Sequence, residues 1–117
     1  MPGLREVLQR LDAGDSVRGG AIVGADGLII HSALTPDADE DAVAALAVTT
    51  MRHAEQLGDS SGSGALRTAV LEYGGGPAIL SPLGSSATLV LLAKPDRDLG
   101  ALLYELRIRR ESLLELV

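Results

Sequence analysis

His31 and His53 are the two histidines of the chain and Lys94 is its one lysine, so these residues come first in a search for chemistry. A zinc site needs further ligands at helical or hairpin spacing, and neither imidazole has one in the sequence. The acidic run Asp37, Asp39, Glu40 and Asp41 offers the ligand type of a Ca²⁺ site without the loop spacing of an EF-hand. Negative charge at the start of a helix explains it more simply. A phosphate-binding P-loop needs a glycine-rich turn that runs into Gly-Lys-Ser/Thr, so that amides and a lysine hold the phosphates. Lys94 is followed by Pro95, and no such turn precedes it. Gly74-Gly75-Gly76 lies between two strand candidates and reads as a hairpin turn. The serine-rich segment 59–64 lacks a Gly-x-Ser-x-Gly nucleophile elbow and reads as a solvated loop. The scattered carboxylates form no recognisable acid–base pair. The chain is therefore read as a non-enzyme, with no catalytic residue, no metal ligand and no cofactor.

Composition narrows the field further. With 117 residues, 46% of them apolar and 22% charged, the chain is sized and composed for one globular domain. Phe and Trp are absent, so the core must be built from Leu, Val, Ile and Ala, with Tyr73 and Tyr104 as the only rings. The formal net charge is −6, from 16 acidic and 10 basic residues. Nucleic-acid binding needs cations for the phosphates and often aromatic platforms for the bases, and this balance opposes both. An anionic membrane surface is disfavoured for the same reason. The lack of cysteine excludes disulfides, thiolate catalysis and every Cys-based metal site. The opening Met1-Pro2-Gly3-Leu4-Arg5-Glu6 has no basic segment running into an apolar one, and the apolar runs are strand-length. Neither a signal peptide nor a membrane span is expected, and the expected location is the cytoplasm.

The periodicity supplies the elements. Leu4, Val7, Leu8 and Leu11 fall on one helical face and predict a first helix over 3–12. Residues 17–24 and 28–32 are apolar runs around Asp26-Gly27, a strong hairpin signal. The first run is apolar or glycine on both faces, which predicts a central strand; Gly19 and Gly20 would let a neighbouring element come close. Thr35-Pro36-Asp37 then turns the chain into a long helix over 39–57, with Val43, Leu46, Ala47, Thr50, Ala54 and Leu57 as its core face. Its other side carries small residues, Ala42, Ala45 and Thr49, followed by Arg52 and Gln56. Solvent faces usually carry long charged side chains. Two readings stay open: Ala as the best helix former, or room for a second backbone.

Segment 58–64 reads as a flexible connection. Three more strands are expected over 65–73, 78–83 and 86–93 as an antiparallel meander, with Pro82 at a strand end. Lys94-Pro95-Asp96 stops the last strand, and Asp96 is the expected cap of a closing helix. Leu99, Leu102, Leu103, Leu106, Leu113 and Val117 are its apolar face. The order α-β-β-α-β-β-β-α predicts an α/β fold, a three-layer α-β-α sandwich around a five-stranded antiparallel sheet, in one domain spanning 1–117.

This order, with these sequences in it, resembles the Roadblock family of dynein-light-chain-related proteins, within the Roadblock/profilin-like folds. It is most similar to the bacterial MglB-like group that partners a small Ras-like GTPase. The resemblance covers nearly the whole chain. It is carried by the run from Val17 through Gly19-Gly20 and Asp26-Gly27 to Ile30, by Pro82-Leu83-Gly84, and by Asp98-Leu99-Gly100. It implies a two-fold homodimer in which central helices pack antiparallel and third strands pair at the sheet edge. The implied interface residues are Ala42, Ala45, Val48, Thr49, Arg52 and Gln56 on the helix, with Leu66, Thr68 and Val70 on the strand. It also implies a regulatory partnership with a small Ras-like GTPase, as an activator of hydrolysis or a co-regulator. The alternative is a structural adaptor in a larger signalling or motor complex, without effect on hydrolysis. A small-molecule sensor would need a pocket with convergent polar groups, for which the sequence offers few candidates.

Overall fold

The computed structural model describes residues 3–11 and 15–117. Its centre is the hairpin marked by Asp26-Gly27, where β1 (Val17–Gly24) pairs antiparallel with β2 (Ile29–Ser32). Gly27 takes a positive φ of 83°, and the Asp26 Oδ1 accepts a hydrogen bond from the Leu28 amide at 3.1 Å. That is the local chemistry which makes Asp-Gly a turn former. The pairing of β2 with β1 skips Ile30, so a bulge places Ile29 opposite Val23 and His31 opposite Ile22. A bulge re-aims side chains, and here Val23 and Ile22 belong to opposite sides of the sheet.

Three further strands follow: β3 (Ala69–Leu71), β4 (Ala78–Leu83) and β5 (Ala87–Ala93). The sheet order is β2-β1-β5-β4-β3, with every neighbouring pair antiparallel. β1 is a central strand covered on both sides, as its composition requires: its last six residues are buried. At Gly20 a Cβ would meet the Val90 carbonyl at 2.9 Å and a Leu8 methyl at 3.0 Å, so the glycine is what allows the first helix to lie against the strand. Pro82 lies opposite Thr88, beyond the reach of β3, whose pairing stops at Leu80.

The helices split between the two faces. On one side lie α1 (Leu4–Leu11), α3 (Leu99–Ile108) and α4 (Arg110–Leu114). Leu4, Val7, Leu8, Leu102, Leu106 and Leu113 meet Ile22, Ile79, Leu89 and Leu91 there. Burial of each of these large aliphatic groups stabilises the fold by about 1.5–3 kcal/mol. The other face is covered by α2 (Glu40–Ser60) alone, through Ala44, Ala47 and Met51 against Ala21, Val23, Leu80 and Val90. Among the described residues the three-layer sandwich is therefore asymmetric, with three helices on one side and one on the other.

Several details depart from the sequence-based expectations. The core face of α2 is Ala44, Ala47 and Met51, while Leu46 and Leu57 are 65% and 70% exposed. The closing helix is broken at Arg109 into α3 and α4, and Leu116 packs on the core where Val117 was expected; Val117 is exposed. Its cap is Asp98, which accepts from the Ala101 amide at 3.0 Å, whereas Asp96 sits in a turn at φ 59°. β3 is only three residues long. Residues 58–60 continue α2, and the Ser63 amide donates to the Gly58 carbonyl at 2.8 Å, so this connection is a hydrogen-bonded helix end rather than an open linker. The expected end of the first helix at Asp12, with the turn at Ala13 and Gly14, lies outside the described residues.

Candidate interaction surface

The outward side of α2 is built from the start of the helix onwards. The Asp39 carboxylate caps it, Oδ1 accepting from the Ala42 amide at 3.2 Å, and Glu40 and Asp41 add negative charge to the first turn. Both suit the unsatisfied amides and positive pole of a helix N-terminus. Once the sheet has claimed Ala44, Ala47 and Met51, helical spacing turns Ala45, Thr49, Arg52 and Gln56 outward as one stripe, all exposed. Ala42 is half-buried beside them. The Thr49 hydroxyl donates to the Ala45 carbonyl at 3.0 Å, so its polar group is satisfied within the helix. Leu46 and Leu57, next to Ala45 and Gln56 in the sequence, are exposed beside this stripe, as is His53. The result is a narrow face of small and apolar groups on the one helix that covers its side of the sheet alone.

Of the residues expected on this face, Ala45, Thr49, Arg52 and Gln56 are gathered on it. Val48 is not: it packs against the cluster between α2 and the sheet. Leu46 and Leu57 are the residues that the sequence reading placed in the core. Their exposure follows from the helix having apolar or small residues on two sides, a pattern in which periodicity alone does not say which side meets the sheet.

The strand side is an open sheet edge. β3 pairs only with β4, leaving its other edge free. Thr68 is exposed, Val70 is 37% exposed, and Leu66 packs on the α2 side of the sheet together with Ala69 and Leu71. The Ser81 hydroxyl donates to the Arg67 carbonyl at 3.2 Å and holds the segment leading into β3 against β4. A groove of about 490 Å³, lined by Ala54, Gly58 and residues 63–68, runs between the end of α2 and this segment. The helix face and the strand edge thus adjoin on the same side of the sheet.

Elsewhere the polar residues serve the fold. The His31 ring Nε2 lies 2.8 Å from the Leu116 carbonyl, joining β2 to the end of the chain, and His53 is exposed on α2. Among the described residues no three His, Cys, Asp or Glu side chains come together as a metal site would require. Lys94 forms an ion pair with Asp15 at 3.1 Å, and Arg97 approaches the same carboxylate at 3.5 Å. The hydrogen bond from Lys94, then the charges of Lys94 and Arg97, hold the Asp15 carboxyl below its ordinary pKa. Gly74 and Gly75 form the turn between β3 and β4, closed by a hydrogen bond from the Gly76 amide to the Tyr73 carbonyl at 3.0 Å. No helix among the described residues is long and apolar enough to cross a membrane.

Comparison with known proteins gives these features a context. The profile of the family described as "Roadblock/LC7 domain" matches residues 4–93. An uncharacterized protein of Methanocaldococcus jannaschii, MJ1340, is 28% identical over 107 residues, covering 92% of this chain and 93% of that one. Among solved structures, a Roadblock/LC7 domain from Streptomyces avermitilis superposes with a TM-score of 0.80 at 25% identity, covering 96% of this chain and 95% of that one. MglB of Myxococcus xanthus superposes with a TM-score of 0.81 at 17% identity, covering 95% and 88% respectively, and so shares the fold.

Proposed function

The chain belongs to the Roadblock/LC7 domain family, and from that membership we propose that it is a cytoplasmic, non-enzymatic homodimeric module that binds and regulates a small Ras-like GTPase. The observation that carries the proposal is the outward face of α2, where Leu46 and Leu57 stand exposed beside the small residues Ala45 and Thr49. Two such helices packed antiparallel about a two-fold axis would bury the part of each leucine still exposed, 65% of Leu46 and 70% of Leu57, a gain of about 1–2 kcal/mol each. Association costs on the order of 4–15 kcal/mol in lost rigid-body freedom. The helix contact by itself is therefore close to break-even. Pairing of the free β3 edges adds backbone hydrogen bonds and fixes the register, and it also removes an unprotected sheet edge.

The GTPase assignment rests on the resemblance to the MglB-like group, whose fold the chain shares. It is tested by titrating the protein against the Ras-like GTPases encoded in the same genome, each loaded with GDP or with a GTP analogue. Saturable binding with a changed hydrolysis rate is the expected result. Binding that leaves hydrolysis unchanged assigns the chain to the adaptor role, and no binding in either nucleotide state contradicts the GTPase partnership.

A further inference from the structure

A second concavity lies away from the α2 face. β3 stops pairing at Leu80, so Ser81, Pro82 and Leu83 of β4 have no strand beside them on that edge. The gap is bounded by the segment before β3 on one side and by α3 and α4 on the other, leaving a half-open groove of about 600 Å³. That falls within the range of small-molecule sites, roughly 300–1,000 Å³. Its apolar lining is the half-buried Leu66 and Leu103, backed by the buried Leu83 and Leu89.

The polar part of the lining is of one sign. Arg67, Arg107 and Arg110 all line the groove, and among the described residues no carboxylate does. None of the three is in an ion pair with a described residue; the neighbouring Arg109 is the one that meets Glu105, at 3.8 Å. In a chain of net charge −6, three guanidinium groups without an ion pair around one apolar groove form a local reversal of sign. They come from two separate parts of the chain, so a bound anion would be approached from both walls. Guanidinium groups bind carboxylate and phosphate oxygens through paired N–H donors.

We propose that this groove binds a small amphipathic anion, a single apolar chain ending in a carboxylate or phosphate. The chain lies on the leucine wall between β4 and α3, and the head group meets Arg67, Arg107 and Arg110. The site stands apart from the α2 stripe, borders the proposed strand interface at Leu66 and Thr68, and does not depend on the GTPase partnership.

The test is isothermal titration of the full chain with dodecanoate, dodecyl phosphate and the uncharged dodecyl maltoside, each as monomers in solution. Saturable binding of one equivalent per chain is expected for an anionic amphiphile and not for the maltoside, and the stronger of the two anions identifies the head group. Replacing one guanidinium, as in Arg107→Gln or Arg110→Gln, should weaken binding by about tenfold, the loss of a charge-assisted hydrogen bond. These side chains are exposed, so an unchanged melting temperature without ligand verifies that each variant folds. Equal binding of the uncharged amphiphile, unchanged affinity in the arginine variants, or no saturable binding by either anion would each overturn the proposal.

Discussion

At the scale of single residues, the strongest constraint is a glycine. Gly76 has φ 115°, and a Cβ there would run into the Ala93 carbonyl, so both conformation and space require glycine. The adjacent Pro77 carbonyl accepts from the Ala93 amide at 3.0 Å, which ties the turn to the end of β5. Gly76→Ala should therefore destabilise the domain by about 2–4 kcal/mol, the sum of backbone strain and overpacking. A thermal melt should show a fall on the order of 10 °C. The same change at Gly75, where an added Cβ meets nothing within 4 Å, is the control and should leave the melt nearly unchanged. Spacing marked the three glycines as a turn, but it did not single out the one that is irreplaceable, because Ala93 is distant in sequence. The helix caps divide in the same way. At the start of α2 the acids marked a helix N-terminus without saying which of them caps it, and before α3 Asp96 and Asp98 offer the same chemistry two residues apart; in both places the fold selects the cap, Asp39 and Asp98.

At the scale of elements, what the sequence revealed was what local chemistry determines. The β1–β2 hairpin followed from two apolar runs around Asp26-Gly27, and the central place of β1 from its lack of a polar side. The break at Arg109 was hidden because neither Pro nor Gly marks it. α2 was legible as a helix but not as to its orientation: Leu46 was assigned inward and Val48 outward, and the structure exchanges them. That exchange strengthens the case for a second contact surface, since it places two large aliphatic side chains outside the monomer's core. Ala45→Glu tests the surface. The residue is exposed, so the monomer should keep its fold and its helical circular dichroism. Placing a carboxylate at a close helix crossing, once from each copy, carries a desolvation penalty of several kcal/mol. Sedimentation equilibrium should show at least about a hundredfold weaker self-association. Undiminished self-association in this variant would remove α2 from the interface.

At the scale of the whole molecule, the asymmetric coverage of the sheet is the feature from which function is argued. Among the described residues three helices bury one face through a leucine-rich core, while α2 covers the other with small residues and keeps Leu46 and Leu57 outside. The fold class and element order were readable because each element carries its own periodicity. The groove edged by Arg67, Arg107 and Arg110 was not, because those residues meet only when the segment before β3 stands beside α3 and α4. In the proposed homodimer, a second copy of the chain covers the exposed α2 stripe and the free β3 edge. Light scattering during gel filtration, over a range of protein concentrations, tests this most directly. A mass twice the 12.1 kDa of one chain, persisting on dilution, is expected. A mass of 12.1 kDa at every concentration would contradict it and leave the helix face and strand edge to a different partner.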